Sequence, residues 1–84
     1  MEMTHVTEAE FLRSVKLGMF SRFFLKESST DKLKFWIAAF EPKHGIVYTI
    51  KHRRENKIRQ WRLDNAAKFL AKAGIHKFEV NCIQ

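Results

Sequence analysis

The spacing of apolar and polar residues changes several times along the chain, and each change marks an element. Phe11, Leu12, Val15 and Met19 recur at helical spacing. Thr7 and Glu10 have the pattern of a capping box, with the Thr hydroxyl accepting from the Glu10 amide and the Glu10 carboxylate accepting from the Thr7 amide. Val6 and Phe11 stand at the positions of a hydrophobic staple. Gly18 supplies a stop, since glycine adopts the left-handed conformation cheaply. These features predict a first helix over Glu8 to Leu17.

The period then shortens to two. Met19 to Lys26 is aromatic-rich, and Glu27 to Asp31 is a polar turn. Lys32 to Phe40 alternates, with Leu33, Phe35, Ile37 and Ala39 on one face and Lys34, Trp36, Ala38 and Phe40 on the other. Pro42 to Gly45 breaks the run. Ile46 to Arg53 is β-branched and extended. Arg54, Glu55 and Asn56 are expected to turn, and Lys57 to Leu63 to pair back as a hairpin. A second helix is expected over Asn65 to Ala73, with Asp64 as N-cap. Gly74 and Ile75 have the arrangement of a Schellman stop onto Leu70. A short strand, Ile75 to Val80, follows.

The resulting order is α-β-β-β-β-α-β: an α+β fold in which an antiparallel sheet carries two helices on one face. With 84 residues, one domain over positions 1–84 is expected. Eight Phe, two Trp and one Tyr supply its core.

Charge narrows the choice of partner. Sixteen Lys and Arg stand against nine Asp and Glu, a formal charge of +7. Such a balance favours nucleic acid, an anionic surface or an acidic protein. Lys51, Arg53, Arg54, Lys57, Arg59 and Arg62 crowd the expected hairpin, with Glu55 the only acid among them. A two-stranded basic ribbon has the width to enter a major groove, and its cations reach phosphates. Trp36, Tyr48 or Trp61 on the sheet face free of helices would stack on unpaired bases. The same cations are also compatible with a solvated edge that blocks aggregation. Docking on an acidic protein is a further reading, as is pairing of a strand edge with a second copy to give a homodimer.

Other chemistry finds little foothold. His5, His44, His52 and His76 are scattered, and no His/Cys spacing matches a zinc site. No nucleophile is paired with a base, and Gly18, Gly45 and Gly74 are too far apart to form a phosphate loop. The expectation is a protein without catalytic residues, metal or cofactor. Cys82, the only cysteine, is expected to be a small buried hydrophobe and suits a reducing compartment. The stretch MEMTHVTEAE carries acids and no apolar h-region, so no secretory leader is expected; with no apolar run of membrane-spanning length either, a cytoplasmic location without membrane partners is expected.

Two resemblances add to this reading. The stretch Phe35 to Gly74 (FWIAAF … KIRQWRLDNAAKFLAKAG) resembles the three-strand-plus-helix DNA-binding domain of tyrosine-recombinase integrases. That likeness implies major-groove reading by the sheet, with Lys51, Arg53, Lys57 and Arg59 as contacts. The helix before this stretch and the strand after it depart from that pattern. Over nearly its full length, through TEAEFLRSVKLGMFSRF and RQWRLDNAAKFLAKAGIHKFEV, the chain also resembles small ParC-type partition-associated proteins of plasmids and integrative elements. This second likeness implies a role in maintenance or transfer of mobile DNA, with DNA favoured over RNA. It implies no catalytic residues.

Overall fold

The computed structural model of the chain describes residues 2–82. Helix α1 (Glu8–Lys16) starts at the expected capping box: Glu10 N–H donates to Thr7 Oγ1 at 3.2 Å, and Thr7 N–H donates to Glu10 Oε1 at 2.9 Å. It ends in a Schellman motif around Gly18, whose φ is 69°. There Met19 N–H donates to the Ser14 carbonyl at 3.2 Å, and Gly18 N–H to that of Val15 at 3.0 Å.

Helix α2 (Leu63–Lys72) ends the same way, with Ile75 N–H on the Leu70 carbonyl at 2.9 Å and Gly74 N–H on that of Ala71 at 3.0 Å. Its start differs from expectation. Arg62 is the N-cap and makes no side-chain cap bond, while Asp64 lies inside the first turn. A carboxylate there still complements the positive end of the helix.

Among the described residues six strands form one sheet: β1 (Glu2–Val6), β2 (Arg22–Glu27), β3 (Lys34–Glu41), β4 (Ile46–Ile50), β5 (Trp61–Arg62) and β6 (Glu79–Asn81). The order across the sheet is β1-β4-β3-β2-β6, with β5 also on β3. β2, β3 and β4 form the expected antiparallel meander. β1 is parallel to β4, and β6 is parallel to β2.

The sheet is therefore mixed, which corrects the expectation of a purely antiparallel one. The physical reason lies in the helices. β1–α1–β2 and β5–α2–β6 are crossovers, in which a helix carries the chain back to begin the next strand in the same direction.

Strand parity divides the sheet into two faces. Phe23 and Leu25 of β2, Phe35, Ile37 and Ala39 of β3, and Ile50 of β4 form one core cluster with Phe11 of α1 and Ala66 and Leu70 of α2. Both helices thus bury their apolar stripes on the same side. Phe11, Leu25, Ile37, Ile50 and Leu70 are fully buried, and each contributes roughly 1.5–3 kcal/mol of transfer free energy. Cys82 is exposed, contrary to expectation. It follows β6, whose residues are all exposed, so no core lies within its reach.

The expected basic hairpin does not form as such. β4 ends at Ile50, and only an isolated bridge joins Lys51 to Ile58. His52 N–H donates to the Lys57 carbonyl at 2.9 Å, and Arg59 N–H to that of Ile50 at 2.8 Å, closing a loop. β5 then pairs with β3, Trp61 against Phe35 and Arg62 against Lys34. β4 and β5 consequently lie in line along one edge of β3, and residues 51–60 are an excursion from that line. The cause is compositional. His52 to Lys57 offers no apolar side chain to bury, whereas Trp61 gains a core position by rejoining β3.

A candidate nucleic-acid interface

Closing the loop gathers some of its cations and disperses others. Lys51, Arg53 and Arg59 line one hollow of about 570 Å³ with Thr7, Glu8 and Ala9 at the N-terminal end of α1. Arg54 is exposed at the loop tip. Lys57 is also exposed, and its Nζ lies 3.9 Å from Glu55. Arg62 stands apart at the start of α2, 3.4 Å from Asp64.

Arg59 is the most constrained of the six. Its guanidinium donates to Glu8 Oε1 at 2.8 Å and lies 3.8 Å from the centre of the Trp61 ring. Stacking on the indole and pairing with a carboxylate fix its geometry, so it braces the loop against α1. Lys51, Arg53 and Arg54 form no ion pair among the described residues. Arg53 and Arg54 are exposed, while Lys51 is half-buried and its charge also acts on Glu10. With Glu8 tied to Arg59, Lys51 and Arg53 leave the hollow net positive, which concentrates counter-ions.

The aromatic expectations divide sharply. Trp36 lies with Lys34, Ala38 and Phe40 on the sheet face that neither helix covers. Trp61 does not. Its pairing with Phe35 points it to the helix side, where it is 8% exposed and its ring centre is 5.0 Å from that of Phe69. Trp61 is a core residue and cannot stack on a base. Its Nε1 is buried and has no hydrogen-bond partner among the described residues. Tyr48 pairs with Ala39, also on the helix side, and meets Phe20 edge-on at 5.2 Å.

Two aromatic residues complete the helix-free face. Phe40 is legible from the alternation of β3. Phe24 is not, because Phe23, Phe24 and Leu25 read as one apolar run, and only the pairing of Phe24 with Ala38 shows which way it faces. Arg22 and Lys26 flank it, their charged groups 5.1 Å and 5.6 Å from the Phe24 ring centre.

A separate polar cluster sits at the end of β3. Glu41 is buried, and both of its oxygens meet His44: Oε2 accepts from the backbone N–H at 2.8 Å and Oε1 lies 2.6 Å from Nδ1. Burial pushes the Glu41 carboxyl up, but the hydrogen bonds and charge of His44 outweigh it and hold the group below the usual carboxylate range. The leading contributions to Glu10, its hydrogen bonds with Thr7, lower that carboxyl as well.

Among the described residues no three His, Cys, Asp or Glu gather as metal ligands, and no helix is long and apolar enough to cross a membrane. No protein-family model, curated protein or solved structure matches the chain.

Proposed function

We propose that this protein is a small, non-catalytic, cytoplasmic nucleic-acid-binding accessory factor that contacts phosphates through its basic loop, residues 51–59. The carrying observation is the convergence of Lys51, Arg53 and Arg59 on one hollow, with exposed Arg54 and Lys57 beside it. DNA is the favoured target, and the process is partition or transfer of a mobile element. That part of the reading is supported by the likeness to ParC-type and integrase sequences. The bond of Arg59 to Glu8 makes it a brace, leaving Lys51, Arg53, Arg54 and Lys57 as phosphate contacts.

A rival reading is an interaction module that docks on an acidic protein or pairs strand edges with a second copy. The outer position of β1 favours it, since an edge strand offers unpaired backbone groups. The double variant Arg53→Ala/Arg54→Ala separates the two. It is expected to keep its thermal midpoint, to lose nucleic-acid affinity at physiological salt, and to reduce the salt slope of binding by about 2. Unchanged affinity, with elution at dimer mass whether or not oligonucleotide is present, would favour the rival.

A further inference from the structure

The face of the sheet opposite the helices has a composition unlike an ordinary solvated surface. Of the eleven aromatic residues of the chain, Phe24, Trp36 and Phe40 are placed there by strand parity. All three are half-buried, although no helix packs on them. Phe24, Phe40 and Val47 surround a hollow of about 220 Å³ above Ala38, with Arg22 and Lys26 at its rim. Pockets that enclose drug-sized ligands run from about 300 to 1,000 Å³. This one has room for a single flat ring system.

Charge on this face points the same way. Arg22, Lys26 and Lys34 project from β2 and β3. Glu79 is the one carboxylate that strand parity puts beside them, and Arg22 already holds it through Nε at 3.2 Å. Lys26 and Lys34 have no ion-pair partner among the described residues. Flat apolar rings with cations one side chain away match a ligand made of flat bases and phosphates. Duplex DNA hides its base faces, so it cannot use Phe24 or Phe40. A single strand exposes them.

We infer that the helix-free sheet face is a stacking platform for single-stranded nucleic acid, with one base seated in the hollow between Phe24 and Phe40 and the strand's phosphates met by Lys26 and Lys34. This inference rests on the nucleic-acid reading above and specifies the form of the target. The basic loop then acts as a second, sequence-independent phosphate contact.

The test uses the full chain and fluorescein-labelled twelve-nucleotide oligo-dT, oligo-rU and a twelve-base-pair duplex, followed by fluorescence anisotropy. Phe24→Leu and Phe24→Leu/Phe40→Leu keep an apolar side chain but remove the flat ring, and melting curves establish that each variant folds. Expected are tighter binding of the single strands than of the duplex, and a loss of roughly 5- to 150-fold in single-strand affinity for the double variant. Duplex affinity should stay within about twofold of the unsubstituted protein, since the phosphate contacts that serve a duplex remain. A preference for oligo-rU over oligo-dT, or the reverse, assigns the strand chemistry and supports the platform in either case.

Equal binding of single strand and duplex, or unchanged single-strand affinity in Phe24→Leu/Phe40→Leu, would overturn the platform while leaving the basic loop as a duplex contact. Absence of binding to all three probes at low salt overturns both readings. Should the double variant not fold, Phe24→Leu alone decides between these outcomes.

Discussion

Glu41 shows how one residue departs from its pattern for a local reason. By alternation it belongs with Phe35, Ile37 and Ala39 on the helix side of β3, where an unpaired carboxylate would be costly. The turn that follows supplies its partners, because His44 brings both a backbone N–H and a ring nitrogen to it. The folded-state carboxyl is held below its unfolded value. Its contribution to stability is therefore complete above the unfolded value and is lost as pH falls through the folded one. Thermal midpoints of the unsubstituted protein and Glu41→Gln, followed from neutral pH into the acid range, are expected to differ at neutral pH and to converge in acid. A gap that stays constant across that range would mean the ionised form of Glu41 gives no stability. None of this is visible in the sequence, where Glu41 and His44 read only as neighbours of a Pro-Gly turn.

At the scale of elements, what was legible followed from local rules. The capping box at Thr7, the stop at Gly18 and the Schellman contact of Ile75 with Leu70 all depend on residues within one helical turn of each other. Thr7→Ala removes the hydroxyl that accepts from the Glu10 N–H and leaves that donor uncapped, while the backbone N–H of residue 7 still donates to Glu10 Oε1. It is expected to lower unfolding free energy by about 1 kcal/mol in denaturant titration. A change under a few tenths would mean that water replaces the cap at no cost. Structure and sequence expectation differ where distant partners decide. β1 is not legible in the sequence because Glu2 to Val6 shows no clean alternation, and its place is set by parallel pairing with β4. The expected hairpin differs because alternation extends the outgoing strand to Arg53 and starts the return strand at Lys57. The actual path leaves the sheet at Lys51 and returns at Trp61, where burial against Phe69 governs. Trp61 therefore lies on the helix side and not on the open face that alternation suggests, while Lys51 and Arg53 still share one hollow.

For the whole molecule, the formal charge of +7 is distributed with some order. Arg22, Arg59 and Arg62 are engaged by Glu79, Glu8 and Asp64. Among the described residues Lys51, Arg53 and Arg54 of the loop and Lys26 and Lys34 of the helix-free face stand outside any ion pair. Exposed pairs such as Lys57 with Glu55 are worth little and exchange readily for a phosphate. The proposed function thus depends on one physical claim: these remaining cations act together on a polyanion. The measurement that bears on it most directly is the affinity of the full chain for a labelled oligonucleotide at a series of salt concentrations from about 50 to 200 mM. With about four phosphates engaged, log affinity is expected to fall linearly with log salt at a slope near −3. A slope near zero, or no binding at the lowest salt, would contradict the account.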